Sequence, residues 1–207
     1  MTRKLSLAAL LVFFSVAVPA RADNVQLQGL PSPTDPKTGL SISPYSALVD
    51  GNPVLVFCVD IATPVANNAS WTATSTPLTS PDYSNTLQFA LTGSNATTQD
   101  NYLEMAWLIE QMEGALAADD ITTAAEDQWA IWSFTGGGDP YGTNASLLAS
   151  AQSAVGGGFS VSDWQILTAD AGQTGQEFLV TSVPEPGSSQ LLAVGLLLAG
   201  LVIKIRK

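Results

Sequence analysis

The hydrophobic pattern of the chain is strand-like in its first half, helix-like in the middle and strand-like again near the end. Residues 54–61 (VLVFCVDI) are apolar and rich in β-branched side chains, which predicts a buried strand. Residues 23–53 are rich in Pro, Ser, Asn and Gly, and the segment PSPTDPKTG within them predicts a turn or loop. Residues 62–96 predict short strands and loops that are interrupted by prolines.

Three helices are predicted in the middle of the chain. Apolar residues recur at helical spacing in TTQDNYLEMAWLIEQMEGA, which starts at Thr97. The second segment, TTAAEDQWAIWSF, is followed by the terminator TGGGDP, and Thr123 with Glu126 fits a capping box at its start. The segment NASLLASAQSAV predicts a shorter third helix.

Strand-like patterns return in residues 159–170 and 176–183, after the helices. This order predicts an α+β fold, in which antiparallel strands form one sandwich-like or barrel-like domain with an inserted helical block. We assign this domain to residues 23–182, which is enough chain for one substantial core and too little for two.

Residues 1–22 have the layout of a secretory signal peptide. Arg3 and Lys4 precede an apolar run over residues 5–18, and Ala20 and Ala22 supply the small residues of a cleavage site. We therefore expect export of the protein, with the mature chain beginning at Asp23.

Residues 183–207 have a three-part layout. A turn precedes an uncharged apolar segment, residues 187–203, whose helix would extend roughly 25 Å at about 1.5 Å per residue. The basic residues that follow favour a cytoplasmic end for this predicted transmembrane helix. They are Lys204, Arg206 and Lys207.

This layout resembles the PEP-CTERM sorting signal of Gram-negative bacteria. The motif residues are Val183, Pro184, Glu185 and Pro186. The resemblance implies processing by an exosortase-type membrane protease, inner-membrane anchoring by the C-terminal helix, and later release or attachment at the cell surface or in the extracellular matrix.

The charge balance narrows the choice of partners. Residues 23–186 contain all 18 acidic residues and one cation, Lys37, which gives a net charge of −17. This balance argues against nucleic acid and anionic membrane surfaces as partners. The chain has no histidine, which excludes imidazole metal sites and histidine-dependent triads. We expect no cofactor and no metal.

Two polar residues in apolar segments are candidates for chemistry. Cys58 is the only cysteine, and by itself it is compatible with an inert buried side chain or with an intermolecular disulfide. Gln128 lies four residues before Trp132 and therefore on the same helical face, where its amide needs partners if it is buried. Taken alone, this glutamine is also compatible with a purely structural role.

Together, the segments FCVD and QWAIW resemble the bacterial thioester domain family, as does MAWLIEQ between them. The resemblance implies a covalent thioester between the Cys58 sulfur and the Gln128 side-chain carbonyl, formed with loss of ammonia. On physical grounds, we expect a pocket lined by Phe57, Trp129 and Trp132 to shield this bond from water, since a dry site limits hydrolysis.

We therefore expect a reactive binding module, rather than an enzyme, that attaches covalently to an amine-bearing surface protein or polysaccharide. The alternative is a non-covalent matrix or adhesive protein, associated with exopolysaccharide or biofilm, in which Cys58 is inert. The mature domain contains a single lysine, Lys37. This low lysine content is consistent with the thioester hypothesis, since primary amines would consume a thioester. It fits an ordinary acidic exported protein equally well.

Overall fold

Strands form where buried and exposed side chains alternate, as in β2, whose first, third and fifth residues are buried. The structure is a computed structural model that describes residues 22–29 and 33–181. Within these residues the strands are β1 (Ala22–Leu27), β2 (Tyr45–Val49), β3 (Asn52–Cys58), β4 (Ser70–Pro77), β5 (Trp164–Ala169) and β6 (Phe178–Thr181).

The six strands close an antiparallel barrel in the order β1-β2-β3-β6-β5-β4, with β4 pairing back to β1. Large aromatic side chains fill its interior. The ring of Phe178 stacks on Trp71 at 5.9 Å between centroids and meets Tyr45 edge-on at 6.2 Å. Cys58 is the partner of Phe178 across the β3–β6 ladder, so the end of β3 lies against this aromatic core.

All the described helices lie between β4 and β5 in the sequence, and their longer members pack against one another. Their bounds are α1 (Leu87–Thr92), α2 (Asn95–Ala117), α3 (Ile121–Ser133) and α4 (Asn144–Gly156). The predicted α+β arrangement, with antiparallel strands in a barrel-like sheet and an inserted helical block, is therefore confirmed.

No strand is predicted before residue 54, whereas β1 and β2 lie there. In β1, buried Val25 and Leu27 alternate with the polar residues Asn24 and Gln26, so the segment carries only two strong apolar positions. Its strand conformation depends on ladders to β2 and β4, which no local pattern reveals. Likewise, α1 lies where short strands and loops were predicted.

The strand predicted for residues 54–61 ends at Cys58. The chain turns because the Asp60 side chain accepts hydrogen bonds from the backbone N–H groups of Ala62 and Thr63. The predicted capping box at Thr123 is also wrong. The N-cap of α3 is Asp120, whose carboxylate accepts the Thr123 N–H at 3.0 Å.

The predicted signal peptide, apart from Ala22, and the predicted sorting signal at 183–207 lie outside the described residues. Among the helices of residues 22–29 and 33–181, none has the length and apolar character needed to cross a membrane.

Gly175 offers a test of the barrel packing. A Cβ placed on this residue would lie 2.5 Å from Nε1 of the buried Trp71 ring. We expect Gly175→Ala to lower the free energy of unfolding by about 1–3 kcal/mol, because the ring is held by its stack on Phe178. Urea denaturation measures this change.

The matched control is Gly138→Ala, since no atom lies within 4 Å of a Cβ built at Gly138. We expect this variant to change stability by less than about 1 kcal/mol. Equal stability of the two variants would contradict the close approach of residue 175 to Trp71.

Candidate functional site

A closed ring of three hydrogen bonds joins Cys58, Gln128 and Ser43. The Ser43 N–H donates to Gln128 Oε1 at 2.9 Å, and Gln128 Nε2 donates to the Cys58 carbonyl at 3.0 Å. The Cys58 N–H donates to Ser43 Oγ at 2.8 Å. All three residues are at most 1% exposed. The glutamine amide is therefore held in one orientation, with its carbonyl oxygen on Ser43 and its nitrogen on Cys58.

Helix α3 presents one face to the end of β3. Gln128 and Trp132 lie one turn apart on this face, as their spacing predicts. The Trp132 Nε1–H donates to the Cys58 sulfur at 3.4 Å, and Thr135 Oγ1 donates to the Val59 carbonyl at 3.2 Å. The structure thus brings Cys58 and Gln128, which are 70 positions apart in sequence, into direct contact.

The Cys58 side chain is a neutral thiol in this environment. Burial raises the pKa of the Cys58 thiol to about 12, although the hydrogen bond from Trp132 acts in the opposite direction. The sulfur donates to the backbone carbonyl of Asp60 at 3.3 Å. Any reaction of this sulfur as a nucleophile therefore requires transfer of the thiol proton.

The ring of hydrogen bonds matches the needs of acyl transfer at Gln128. Negative charge develops on the carbonyl oxygen when a nucleophile adds to the carbonyl carbon. The Ser43 N–H already donates to that oxygen, and Trp132 donates to the sulfur that would join or leave. Both donors are buried, where such interactions are stronger than in water.

Of the three residues of the predicted pocket, Trp132 hydrogen-bonds the sulfur, and the other two have aromatic partners. Trp132 contacts it directly, and Trp129 packs edge-on against Trp132 with centroids 5.2 Å apart. Phe57 precedes Cys58 in β3, so its side chain points to the opposite face of the strand, where it stacks on Trp164 at 5.8 Å. That these three side chains shield a thioester stays a prediction.

A buried carboxylate, Asp35, anchors the loop that leads to Ser43. It is 1% exposed and accepts hydrogen bonds from Trp129 Nε1 at 2.8 Å and from the Lys37 N–H at 2.8 Å. The hydroxyl groups of Thr38 and Tyr141 donate to it as well. Burial opposes the charge, but these donors outweigh it and lower the pKa of Asp35 below its usual value.

Lys37, the single lysine of the mature domain, lies in the same loop. Its Nζ donates to the Pro140 carbonyl and lies 4.9 Å from the centre of the Tyr141 ring, a cation–π contact. Its amine therefore has two partners within the protein. Neither explanation of the low lysine content is tested by this contact.

Asp127, next to Gln128, is an unusual buried acid. It is 1% exposed, and its Oδ2 atom has no hydrogen-bond partner in the described part of the chain. Burial, with a smaller effect of the neighbouring Glu126, raises the pKa of Asp127 to about 7. The carboxyl group therefore holds its proton to a higher pH than an exposed aspartate does.

Sequence reasoning missed Ser43 and Asp35. Ser43 acts through its backbone N–H as well as its side chain, and any residue other than proline carries an N–H. Asp35 lies in the segment PSPTDPKTG, whose composition predicts a turn but not a buried acid. Over residues 22–29 and 33–181, no group of three or more His, Cys, Asp or Glu side chains is arranged to hold a metal ion.

Comparisons with known proteins give one distant structural match. No family model matches the chain, and no curated protein matches its sequence. Among solved structures, the N-terminal thioester domain of a surface protein from Clostridium perfringens is similar, with 10% sequence identity and a TM-score of 0.44. The match covers 77% of this chain and 98% of that domain. A similarity this distant leaves the assignment of function to the residues of the site.

Asp35→Asn tests the anchoring of the loop. We expect the variant to lower the free energy of unfolding at pH 7 by about 1–3 kcal/mol, since an amide nitrogen would face hydrogen-bond donors. The pKa of Asp35 is lowered in the folded protein, so its charge stabilises the fold above the unfolded-state pKa, about 3.9. This contribution is lost as the pH falls toward the folded-state pKa.

Urea denaturation at pH 7 and at pH 3 measures both effects. The difference between the wild type and Asp35→Asn should shrink at the lower pH. The exposed Asp163 provides the control, since Asp163→Asn should change stability by less than about 0.5 kcal/mol at either pH. A difference for Asp35→Asn that is independent of pH would contradict the role of its charge.

Proposed function

We propose that this chain is an exported surface protein that attaches covalently to an amine-bearing partner. The reactive group is a thioester between the Cys58 sulfur and the Gln128 side-chain carbonyl. The observation that carries the proposal is the buried ring of hydrogen bonds that holds the Gln128 amide against Cys58, with a backbone N–H on its carbonyl oxygen. Each molecule reacts once, so the protein is a reactive binding module and not an enzyme.

Formation of the thioester needs no other reactant. The Cys58 sulfur adds to the carbonyl carbon of Gln128, and the bond from that carbon to Nε2 breaks. The thiol proton leaves with the amide nitrogen, which departs as ammonia. The Ser43 N–H stabilises the negative charge that develops on Oε1 during the addition.

Attachment uses the same carbonyl carbon. A neutral amine of the partner adds to it, the carbon–sulfur bond breaks, and an amide joins Gln128 to the partner. The sulfur takes up a proton and the former amine loses one, so the step is balanced. Burial raises the pKa of the Cys58 thiol to about 12, which favours the protonated thiol after release and disfavours its return as a nucleophile.

The cellular setting is part of the proposal. Residues 1–22 direct export, and the motif at 183–186 makes the chain a substrate of an exosortase-type protease. The helix at 187–203 anchors it in the inner membrane before transfer to the cell surface or matrix. The support for this route is the layout of both ends of the sequence.

A second candidate is a non-covalent adhesive or matrix protein with an inert Cys58. It is favoured by the complete hydrogen bonding of the unjoined site. Both polar atoms of the Gln128 amide and the Cys58 thiol have partners, as in a structural glutamine and a buried cysteine.

Intact mass distinguishes the two candidates. We expect the wild-type protein to be lighter than its sequence by the mass of one ammonia, because the thioester forms with loss of that molecule. Cys58→Ala and Gln128→Ala should each have the full mass of their sequences. After incubation with methylamine, the wild-type protein should gain the mass of methylamine.

Gln88→Ala is the matched control, since Gln88 is a buried glutamine whose side chain bonds the Phe134 carbonyl and the Asn101 amide and not the Cys58 ring of hydrogen bonds. This variant should keep the mass deficit. A wild-type protein of full mass with one titratable thiol would refute the thioester and leave the second candidate.

Trp132→Phe tests the hydrogen bond to the sulfur. The variant keeps an aromatic ring and removes the donor that stabilises the departing sulfur. We expect the rate constant for reaction with methylamine to fall roughly ten-fold or more, in keeping with the loss of one donor at a reacting atom. Release of the thiol, followed with a thiol reagent after denaturation, gives the rate.

The control for this prediction is Trp107→Phe, a half-buried tryptophan on α2. It should react at the wild-type rate. An unchanged rate for Trp132→Phe would mean that the indole N–H does not assist departure of the sulfur.

A further inference from the structure

The register of the β2–β3 hairpin extends into the candidate site. The two strands are joined by Asp50 and Gly51, whose positive φ angles of 50° and 81° are those of a two-residue type I′ turn. In such a hairpin, the residues that flank the turn exchange two backbone hydrogen bonds, and so does every second pair after them. Extended by two residues beyond its last pair, this register places Ser43 opposite Cys58 as the next hydrogen-bonded pair.

Side chains replace the backbone hydrogen bonds of this pair. In a regular ladder, the Ser43 N–H would donate to the Cys58 carbonyl, and the Cys58 N–H would donate to the Ser43 carbonyl. In the structure, the Ser43 hydroxyl accepts the Cys58 N–H at 2.8 Å. The Gln128 amide lies between the Ser43 N–H, at 2.9 Å, and the Cys58 carbonyl, at 3.0 Å. The amide is thus inserted where two strands would otherwise pair directly.

The backbone of this pair fixes which end of the amide is which. The Ser43 N–H is a donor and needs Oε1, and the Cys58 carbonyl is an acceptor and needs Nε2. Both residues are at most 1% exposed, so neither group has water as a substitute partner. The Cys58 carbonyl therefore marks the position of the nitrogen that is bonded to the Gln128 carbonyl carbon.

Loss of ammonia would remove the donor from this carbonyl. In the proposed thioester, the sulfur takes the place of Nε2 on the carbonyl carbon and carries no hydrogen. The Cys58 carbonyl would then be a buried acceptor without the hydrogen bond that it has in the unreacted site. Addition of an amine is the reverse of the departure of ammonia, so the incoming nitrogen enters the position that Nε2 held.

We propose that the backbone carbonyl of Cys58 selects primary amines, by accepting a hydrogen bond from the nitrogen that attacks the thioester. The inference rests on the proposed function and adds the group that determines which nucleophiles react. A primary amine has two N–H hydrogens. One is transferred to the sulfur as the carbon–sulfur bond breaks, and the other remains on the product amide and donates to the Cys58 carbonyl. The product thereby restores the hydrogen bonding of the unreacted glutamine.

Secondary amines and alcohols lack the second hydrogen. Each has a single N–H or O–H hydrogen, which is transferred to the sulfur as the new bond forms. The tertiary amide or ester that results has no hydrogen to donate, so the Cys58 carbonyl stays unpaired in a buried site. A site that leaves its own buried polar group unpaired with the wrong substrate discriminates strongly against that substrate.

Ethylamine and dimethylamine test this selection, because they are isomers of nearly equal basicity that differ in the number of N–H hydrogens. Wild-type protein is incubated with each amine, and intact mass follows the gain of the amine. The same two rates with a small alkyl thioester in solution give the intrinsic preference. We expect the ratio of the ethylamine rate to the dimethylamine rate to be roughly ten-fold or more higher for the protein. A ratio equal to that of the small thioester would overturn the proposal.

Isopropylamine is the control for size. It is a primary amine that is bulkier than dimethylamine and keeps an N–H in its product. Relative to the small thioester, it should retain most of the ethylamine rate. A loss of rate as large as that of dimethylamine would assign the discrimination to steric exclusion and overturn the role of the Cys58 carbonyl.

Hydrogen exchange tests the bond in the product. Protein that has reacted with ¹⁵N-labelled ethylamine carries one new labelled amide N–H. Because this N–H should donate to the buried Cys58 carbonyl, we expect it to exchange with D₂O at least about a hundred-fold more slowly than in the same adduct unfolded in urea. Equal exchange rates in the folded and unfolded adducts would contradict the hydrogen bond.

Failure of this inference is distinguishable from failure of the proposed function. A full wild-type mass before any amine is added would refute the thioester and the selection together. A mass deficit, with a preference for ethylamine no larger than that of the small thioester, would keep the thioester and overturn the selection alone.

Discussion

The Gln128 amide, buried in an otherwise apolar region, fixes the relative positions of three distant segments. A buried amide without partners would cost several times the net free energy of a typical hydrogen bond, so its oxygen and nitrogen must both be bonded. The oxygen takes its donor from the loop before β2, and the nitrogen donates to the last residue of β3. Helix α3, this loop and the end of the barrel are therefore held together by one side chain.

A second anchor lies one residue further along the helix. Trp129 donates a hydrogen bond to Asp35. The Asp35 carboxylate also accepts hydrogen bonds from the Lys37 N–H and the Tyr141 hydroxyl. The Asp35 loop continues directly into Ser43, so the hydrogen bonds at Asp35 help to position the Ser43 N–H that donates to the Gln128 oxygen. Geometry of this kind, in which supporting contacts fix a donor before any reaction, is what electrostatic stabilisation of acyl transfer requires.

The sequence was sufficient to predict elements whose signal is local. The apolar run around Cys58 predicts β3, and the four-residue spacing of Gln128 and Trp132 predicts that both face one surface. The resemblance to thioester domains pointed to the same pair, which the structure brings into contact. The boundaries were less predictable, because Asp60 ends the strand with its side chain and Asp120 replaces Thr123 as the cap of α3.

Other parts of the site depend on long-range contacts that local patterns do not encode. Strand β1 forms through its ladders to β2 and β4. The donor to the Gln128 oxygen is the backbone N–H of Ser43, which lies 85 positions away in the sequence. Asp35 and Tyr141 are 106 positions apart, and Asp60 and the Gln176 amide that donates to its carbonyl are 116 apart. Residue type alone carries no information about such pairs.

The position of Cys58 and Gln128 in the chain has a topological consequence. A bond between them would close a covalent loop that contains β4, α1 and α2. A cross-link over such a loop removes conformational entropy from the unfolded chain. By the chain-entropy argument used for disulfides, it would raise the free energy of the unfolded chain by about 4 kcal/mol. Reaction with an amine opens this loop. Attachment to a partner would then exchange an internal tether for an external one and leave the domain easier to unfold than before it reacted.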